Sequence, residues 1–242
     1  MLSHAVARHH HLTLPSTQDT CRALAEQGAP AGTLVTADEQ TTGRGRMGHT
    51  WFSPRGQAIY ASILLRPALS VQQSPWLTML AALVVRDAIP TKAVTIKWLN
   101  DLNLNGKKIC GILVETSMTE DRLDYAILGI GLNVNTTFAD APTDVRARAT
   151  SLKQEMGIEL DREAILQTVL HNLHIRYAAL QRTQHSPAEE YAQHVETLGQ
   201  LVRVQAGDEI IAGMATGVNA WGALQIETSA GLRSVSYGHV LN

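Results

Sequence analysis

The dipeptide Asn105-Gly106 places the tightest constraint on how this chain can fold. It separates two β-type runs in "NLNGKKICGILVETSM", and Asn-Gly is strongly favoured in two-residue hairpin turns because both central residues need positive φ. The sequence therefore predicts an antiparallel hairpin at this point. The dense apolar runs "AIYASILLRP" and "LDYAILGIGLNVN" predict further buried strands before and after it.

Helical and strand patterns both occur along the rest of the chain. Some segments have apolar residues at helical spacing, and others have a capping residue or a proline at the start. These features predict helices for "STQDTCRALAEQG", "SPWLTMLAALVVRDAIP", "DREAILQTVLHNLHIRYAALQRT" and "SPAEEYAQHVETLG". Further strands are predicted for "HLTLP", "GTLVTADEQ" and "AVTIKWLND". After Gly199 only short β runs separated by turns follow, which predicts a small β-barrel docked on the main domain. The predicted domains are therefore residues 1–196 and residues 197–242.

Composition and charge narrow the classes of function. The 242 residues are 45% apolar and 17% charged, with a formal net charge of −2, so neither a nucleic-acid partner nor a membrane surface is indicated. Cys21 and Cys110 lie far apart without metal-ligand spacing, which favours free thiols in a reducing cytoplasm. The first residues lack the apolar core of a signal peptide, and the longest apolar stretch is too short to span a bilayer.

A glycine-rich loop with two arginines, "TTGRGRMGHTWFS", is the first candidate site. Glycine lets a loop fold closely over a ligand, and the guanidinium groups of Arg44 and Arg46 match carboxylate or phosphate oxygens. An exposed loop with solvated arginines is the alternative. The spacing Gly43-x-Gly45-x-x-Gly48 also matches a dinucleotide-binding pattern, but no helical pattern follows it, which argues against that fold.

The segment "KWLND" is the second candidate site. Lys97, Asn100 and Asp101 gather polar groups at the end of a predicted strand, where α/β sheets bind ligands. Asp101 beside an amide side chain suits Mg²⁺, which takes one or two carboxylates and keeps several waters. An Asx-turn leading into the hairpin is the alternative interpretation.

Lys107 and Lys108 follow the hairpin turn and form the third candidate site. Adjacent residues of a strand point to opposite faces, so only one of the two lysines faces a site. Lys108 shares its face with Cys110, and Gly111 permits close approach of a backbone; two solvated lysines are the alternative. With the loop arginines and Asp101, these cations suit a polyphosphate with Mg²⁺. No Ser, Cys or His grouping indicates a nucleophile, so we expect catalysis by positioning and charge stabilisation at phosphate.

The segments "GRGRMGHTWFSP", "KWLNDLNLNGKKICGILVE" and "ILGIGLNVN", in that order and spacing, resemble the biotin–protein ligases. The resemblance covers the chain from about Leu12 to its end. It implies an α+β fold, in which a central mixed β-sheet flanked by helices, as in class II aminoacyl-tRNA synthetases and biotin synthetases, carries a small C-terminal SH3-like β-barrel. It also implies two reaction steps. Biotin and ATP-Mg²⁺ give biotinyl-5′-AMP and pyrophosphate, and a lysine of a biotin carboxyl carrier domain then takes the biotinyl group as an amide.

The resemblance assigns roles to individual residues of this chain. Lys108, Arg46 and Asp101 are the implied catalytic residues, and Asp101 is also the implied Mg²⁺ ligand. The implied biotin-binding residues are Ser16, Thr17, Gln18, Gln40, Gly43, Arg44, Gly45, Arg46, Tyr60, Lys108, Gly111 and Leu113. The implied ATP- and adenylate-binding residues are Arg44, Arg46, Trp51, Lys97, Asn100, Asp101, Lys108 and Asn133. Ser16 and Thr17 have the alternative of capping the helix that follows them, and no tightly bound prosthetic group is expected.

Three departures from the family pattern bear on these roles. Leu99 stands where proline is usual, and we expect an altered turn without loss of activity, because proline only presets the backbone. Gln18 stands where many members have asparagine, which leaves the role of that side chain open. The sequence ends at "GHVLN" without the basic residues expected nearby, which leaves an ATP contact from the tail open.

Two other functions remain as alternatives. A lipoate–protein ligase shares the fold and the adenylate chemistry but needs a longer apolar slot, and the arginine-glycine loop favours biotin. A non-catalytic biotin- or nucleotide-binding regulator is the second, and the presence of Arg44, Arg46, Asp101 and Lys108 argues against it. The catalytic domain begins within the first dozen residues, so we expect the short monofunctional class without a DNA-binding domain. A homodimer is left open.

Overall fold

A seven-stranded sheet lies at the centre of the structure, a computed structural model that describes residues 7–241. Its strands are β1 (Arg8–His11), β2 (Leu34–Ala37), β3 (Ile59–Leu65), β4 (Thr95–Lys97), β5 (Asp101–Leu104), β6 (Lys107–Thr119) and β7 (Arg122–Leu132). They lie in the order β1-β2-β3-β7-β6-β5-β4. Strands β1 and β2 pair in parallel and the other neighbours pair antiparallel. The predicted α+β fold with a central mixed sheet is confirmed.

Helices cover this sheet and connect its strands. They are α1 (Thr17–Glu26), α2 (Pro75–Ala88), α3 (Thr143–Arg148), α4 (Leu152–Met156), α5 (Arg162–Thr183) and α6 (Ala188–Ala192). Helix α2 is buried on most of its surface because it packs both against strands β5 to β7 and against α5. No helix within residues 7–241 is both long and apolar enough to cross a bilayer.

The predicted Asn-Gly hairpin joins β5 to β6. Asn105 has φ 52° and Gly106 has φ 75°, and the flanking residues Leu104 and Lys107 are paired across the turn. Positive φ at both central residues is what a type I′ turn requires. The Asn105 side chain donates a hydrogen bond to Glu155 Oε2 (2.6 Å), which ties the turn to α4. The prediction made from this dipeptide is therefore confirmed.

The block "KWLND" is not a single strand, so that prediction is wrong. Strand β4 ends at Lys97, residues 98–100 form a tight turn with a cis peptide between Trp98 and Leu99, and Asp101 begins β5. Lys97 and Asp101 are partners across this second hairpin. The polar groups therefore lie where two antiparallel strands meet, which places both side chains at one corner of the sheet.

Two further local predictions are wrong. The first strand is Arg8–His11 rather than "HLTLP", because pairing with β2 ends at His11, opposite Ala37, and beyond it Leu14 forms a single bridge, with Gln40. The helix predicted in "SPAEEYAQHVETLG" covers only Ala188–Ala192. Beyond it the chain turns so that Val195 bridges Ile96 beside β4, and this sheet-edge contact ends the helix.

The C-terminal part forms a separate antiparallel sheet. Its strands are β8 (Leu201–Ala206), β9 (Glu209–Val218), β10 (Leu224–Thr228), β11 (Gly231–Val235) and β12 (His239–Val240). They lie in the order β11-β10-β9-β8-β12. Among the strands described, no pairing joins β11 to β12, so the structure shows an open five-stranded sheet where a small SH3-like β-barrel was predicted.

Tryptophans fix the C-terminal sheet against the rest of the molecule. The ring of Trp76 in α2 stacks on Trp221, with centroids 5.9 Å apart and planes at 8°. Trp98 Nε1 donates a hydrogen bond to the carbonyl of Gly222 (3.0 Å), and Trp76 Nε1 donates to the carbonyl of Ala220 (2.8 Å). The loop 219–222 is therefore held by both α2 and the turn at 98–100.

Candidate functional site

A cleft of about 920 Å³ lies between strands β6 and β7, the arginine-glycine loop (residues 41–53) and the end of the C-terminal sheet. Most of the predicted site residues line it. These are Ser16, Thr17, Gln18, Gln40, Arg44, Gly45, Arg46, Trp51, Lys97, Asn100, Asp101, Lys108, Gly111, Leu113 and Asn133. Residues far apart in sequence thus meet in one place, with neutral groups at one end and cations at the other.

The neutral end is a buried group of hydroxyl and amide side chains. Thr17 donates to Gln40 Oε1 through its backbone N–H (2.9 Å) and its hydroxyl (3.1 Å), and Ser62 donates to Gln18 Oε1 (3.0 Å). Ser16 Oγ accepts from the Gln18 N–H (3.3 Å) and so caps α1, as the alternative interpretation of that residue predicted. These side chains are fixed by one another and carry no charge, so they suit a neutral polar ligand group. We refer to them below as the neutral pocket.

Three glycines form the floor beside the neutral pocket. Gly111 and Gly131 are direct partners on β6 and β7. A Cβ at Gly131 would lie 2.6 Å from the Trp51 ring, and one at Gly111 would lie 2.9 Å from it. A Cβ at Gly129 would lie 2.5 Å from Gln18 Oε1. The sheet must therefore carry no side chains at these three positions if Gln18 and the indole of Trp51 are to lie against it.

The indole nitrogen of Trp51 is an orphaned donor. Trp51 Nε1 is buried and has no hydrogen-bond partner within residues 7–241. Lys108 Nζ lies 5.3 Å from the centroid of the Trp51 ring, within the range of a cation–π contact. Trp51 therefore joins the apolar floor to the cationic end of the cleft.

The cationic end is formed by Lys108 and Arg46. Lys108 Nζ lies 2.7 Å from Asp101 Oδ1. Arg46 Nη1 donates to Asn100 Oδ1 (2.9 Å), and Asn100 in turn donates to the carbonyl of Ile112 (2.7 Å). Burial lowers the pKa of Arg46, although nearby Asp101 opposes this. A half-buried guanidinium held by a neutral amide gains more from an added anion than a solvated one does.

Lys97 and Asn133 lie at opposite sides of this end. Lys97 is brought beside Asp101 by the β4–β5 pairing. Asn133 is 3% exposed and donates from Nδ2 to the carbonyl of Thr150 (3.1 Å), so its amide is held rigidly at the end of β7. Rigid amides of this kind give a site its orientation.

Arg44 differs from Arg46 although both belong to the same loop. Arg44 Nη1 lies 2.6 Å from Asp19 Oδ1, and Arg44 Nη2 lies 2.9 Å from Glu115 Oε1. Its charge is therefore already compensated by two carboxylates. The sequence pattern treats the two arginines alike, and the structure separates them.

Gly43 and Tyr60 were predicted to bind ligand, but neither is among the residues that line the cleft. A Cβ at Gly43 would lie 2.6 Å from both Ser53 Oγ and the Trp51 carbonyl, so this glycine lets the base of the loop close. Tyr60 is 1% exposed and donates from its hydroxyl to the carbonyl of Pro54 (3.0 Å), and burial raises its pKa. Both residues support the loop from behind.

Sequence reasoning missed several residues of the cleft. Ser62 on β3 completes the neutral pocket, and His239 on β12 reaches the cleft from the C-terminal sheet. The pKa of His239 is lowered, first by burial and then by the charge of Lys97, with Asp101 opposing. Alternation on β3 could have identified Ser62 as facing the same side as Tyr60. Nothing local in "GHVLN" indicates that His239 meets the central sheet, because that contact is tertiary.

The expected magnesium ligand can be tested against these contacts. No group of three or more potential metal-ligating side chains occurs in the part of the chain that the structure describes. Asp101 offers one carboxylate, which it shares with Lys108. This fits a Mg²⁺ that takes most of its ligands from phosphate and water, and it does not fit a cage made of protein ligands alone.

The fold and the cleft define a ligase-type site, in which the cations can bring an acidic group and a phosphate together beside a pocket of neutral polar side chains. A family model, "Biotin/lipoate A/B protein ligase family", matches residues 12–133, and a second, "Biotin protein ligase C terminal domain", matches residues 197–241. The chain belongs to the biotin/lipoate A/B protein ligase family.

Individual relatives and solved structures agree with this assignment. The chain is 39% identical to the bifunctional ligase/repressor BirA of Bacillus subtilis, over 93% of this chain and 71% of that protein. It is 32% identical to the biotin--[acetyl-CoA-carboxylase] ligase of Mycobacterium tuberculosis, over 94% of this chain and 85% of that protein. The fold is similar to that of the biotin protein ligase from Aquifex aeolicus in complex with biotin and ATP. The TM-score is 0.79 and the identity 29%, over 97% of each chain.

Proposed function

We propose that this chain is an ATP-dependent biotin–protein ligase. It activates biotin as biotinyl-5′-AMP and transfers the biotinyl group to a lysine of a biotin carboxyl carrier domain, such as that of an acetyl-CoA carboxylase. The order of groups along one cleft carries the proposal: the neutral pocket, then the glycine floor, then Lys108 and Arg46. Biotin has the matching order of a ureido ring, an apolar chain and a carboxylate.

The biotin ring is assigned to the neutral pocket. The ureido group needs uncharged donors and acceptors, which Thr17, Gln18 and Gln40 supply, while Ser16 caps α1. The apolar chain of biotin lies along Gly111 and Leu113 and under Trp51. Four other predicted biotin-binding residues act on the loop that covers the ring: Gly43, Gly45 and Tyr60 shape it, and Arg44 ties it to Asp19 and Glu115.

In the first step a carboxylate oxygen of biotin attacks the α-phosphorus of ATP. A new oxygen–phosphorus bond forms, the bond to the bridging oxygen breaks, and pyrophosphate leaves with the electron pair. The carboxylate is ionised near neutral pH, so no general base is needed. Lys108 reduces the repulsion between the two anions, and Arg46 contacts the phosphate as charge develops.

The nucleotide end is assigned to the corner where β4 and β5 meet. Lys97 and Asn100 face the phosphates, Asn133 faces the adenine side, and Trp51 covers the adenylate. Asp101 would hold Mg²⁺, which would neutralise charge on the polyphosphate. Leu99, in place of the usual proline, lies in the turn that leads to Asn100 and is accommodated there.

In the second step the neutral amine of an acceptor lysine attacks the carbonyl carbon of the adenylate. A carbon–nitrogen bond forms, the bond to the phosphate oxygen breaks, AMP leaves, and the amine releases its proton to solvent. Asp101 orients this amine. Single-turnover transfer from biotinyl-5′-AMP tests the role, because Asp101→Asn is expected to slow transfer more than it slows adenylate formation. Equal slowing of both steps would contradict a role of Asp101 in orienting the acceptor amine.

The remaining assignments belong to the whole protein. Residues 1–196 form the catalytic domain and residues 197–242 a C-terminal domain that closes one side of the cleft. The reaction takes place in the cytoplasm, where ATP and carboxylases are found, and the protein contacts neither DNA nor membrane. If it forms a homodimer, the sheet edges are the expected contact.

ATP–pyrophosphate exchange tests the proposal against its alternatives. The full chain is incubated with ATP, Mg²⁺, labelled pyrophosphate and either biotin or lipoate. We expect exchange with biotin only. Exchange with lipoate alone would favour a lipoate–protein ligase. No exchange with biotin and none with lipoate would favour a non-catalytic binding protein.

A further inference from the structure

Arg44, Arg22, Asp19 and Glu115 form a closed ring of ion pairs outside the neutral pocket, and we call these four residues the latch. We propose that the latch holds the arginine-glycine loop closed over biotin and biotinyl-5′-AMP, so that Arg44 is a positioning residue that retains the intermediate and does not itself bind the reacting anions. The inference rests on the proposed function and deepens it, because it gives the two loop arginines different tasks.

The distances within the latch are short. Arg44 contacts Asp19 Oδ1 at 2.6 Å and Glu115 Oε1 at 2.9 Å. Arg22 contacts the same two carboxylates, Glu115 Oε2 at 2.6 Å and Asp19 Oδ1 at 3.2 Å. Two cations and two anions therefore balance one another, and the charge of Arg44 is occupied before any substrate arrives.

The latch joins three elements at the neutral end of the cleft. Asp19 follows Gln18 in α1, and Glu115 lies two residues beyond Leu113 on β6, whose carbonyl accepts a hydrogen bond from Gln18 (3.5 Å). Arg44 comes from the loop itself. Opening the loop must therefore break the pairs between Arg44 and both walls of the pocket, whereas the Arg46 side chain donates to the amide of Asn100 at the other end.

The latch is partly exposed, which sets the size of its effect. The side chains of Arg44 and Glu115 are 37% and 25% exposed. Ion pairs at such positions are weak individually and screened by salt. Together they are expected to slow the release of the intermediate by roughly five- to thirty-fold, the range that one or two kcal/mol corresponds to.

The double variant Asp19→Asn with Glu115→Gln separates the two possible tasks of Arg44, because it removes the carboxylates and leaves the arginine. Labelled biotinyl-5′-AMP is formed on the enzyme from biotin and ATP, chased with excess unlabelled biotin, and its release is timed. The latch predicts release roughly five- to thirty-fold faster than in the wild type. It also predicts that raising the salt concentration speeds release in the wild type but not in the variant. If Arg44 instead binds the adenylate, freeing it from its carboxylates slows release or leaves it unchanged, which would overturn the proposal.

The pair of Arg8 and Glu163 provides a matched control. This bidentate pair joins β1 to α5 outside the lining of the cleft, with Arg8 Nη1 2.6 Å from Glu163 Oε1 and Arg8 Nη2 2.9 Å from Glu163 Oε2. Its side chains are about as exposed as those of the latch. Glu163→Gln is expected to leave the release of the intermediate unchanged.

Limited trypsin cleavage separates failure of the latch from failure of the proposed function. In the protein without substrates, cleavage after Arg46 is expected to be faster in the double variant than in the wild type or Glu163→Gln. Equal cleavage in all three proteins would overturn the latch even if the wild type shows no exchange with biotin. Exchange absent in the wild type would instead overturn the proposed function.

Discussion

Gly131 limits what can stand on the floor of the cleft. A Cβ at this position would lie 2.6 Å from the ring of Trp51, closer than real Cβ contacts allow, so the indole would have to leave the sheet. Its partner Gly111 faces the same ring at 2.9 Å. A single methyl group here therefore changes the shape of the slot beneath Trp51, to which we assign the apolar chain of biotin.

Gly131→Ala is expected to raise the KM for biotin about tenfold, since overpacking typically costs 1–3 kcal/mol. The KM for ATP should change much less. Gly217→Ala is the control, because a Cβ at Gly217 meets no atom within 4 Å. An unchanged biotin KM in the Gly131 variant would show that Trp51 moves without consequence for binding.

Lys108 and Lys107 form a natural pair for testing charge at the reacting atoms. Lys108→Gln is expected to slow adenylate formation by roughly 100- to 1000-fold, the usual effect of losing one preorganised group that stabilises developing charge. Lys107→Gln is expected to stay within about threefold, because its exposed charge is screened. Rapid-quench measurement of biotinyl-5′-AMP in one turnover provides the comparison. Similar losses in both variants would contradict the assignment of Lys108.

At the scale of elements, the Asn105-Gly106 turn and α4 hold the cationic strand in place. Glu155 accepts hydrogen bonds from Asn105 (2.6 Å) and from the Thr150 hydroxyl (2.6 Å). These two bonds lower the pKa of Glu155 below its usual 4.5. The start of β6, which carries Lys108, is thus connected through one carboxylate to the helix behind it.

The sign of the pH effect follows from the direction of this shift. A carboxylate with a lowered folded-state pKa contributes stability above about pH 4.5, and loses it as the pH falls through the folded-state value. Glu155→Gln is expected to reduce the free energy of unfolding by about 1 kcal/mol at pH 7, since solvent reaches the site. Urea denaturation should show this difference shrinking below pH 4.5. Leu232→Ala, a change at a non-titrating side chain that is 64% exposed on β11, should show no such dependence.

Much of this fold can be predicted from the sequence because its strongest signals are local. Strands β3, β6 and β7 are dense apolar runs, and the Asn-Gly turn fixes its own backbone. The turn at residues 98–100 cannot be predicted in the same way. Its position depends on Trp98, whose indole reaches Gly222 in the other sheet.

The sequence predicts which residues belong to the site better than it predicts what each of them contacts. Lys108, Asp101 and Gln18 lie in the cleft as their motifs indicate. Arg44 and Arg46 are equivalent by pattern, yet one meets carboxylates and the other an amide, because their neighbours come from distant elements. Contacts of this kind depend on the tertiary structure, and the local sequence does not indicate them.

At the scale of the whole molecule, the C-terminal sheet supports the corner of the cleft where β4 and β5 meet. Trp221 stacks on Trp76, and the neighbouring Gly222 carbonyl holds Trp98. Trp98 lies two residues before Asn100, which binds Arg46. Loosening the junction between the sheets should therefore disturb the placement of Asn100 and Asp101.

Trp221→Ala is expected to lower the free energy of unfolding by about 1–2 kcal/mol through loss of the stacked pair and its burial. The KM for ATP should rise while binding of biotin stays close to that of the wild type. Denaturation and steady-state kinetics measure the two effects. Leu232→Ala, 64% exposed on β11, is the control. A variant that loses stability but keeps its ATP KM would show that the junction does not position the turn.

The placement of the tryptophans has a spectroscopic consequence. Of the four in the chain, Trp76, Trp98 and Trp221 lie together at the junction, and Trp51 lies apart from them in the cleft. A change in intrinsic fluorescence on adding biotin that disappears in Trp51→Phe would arise in the cleft, and one that persists would arise at the junction. The unlabelled protein thus carries two optical reporters, one for ligand and one for the contact between its sheets.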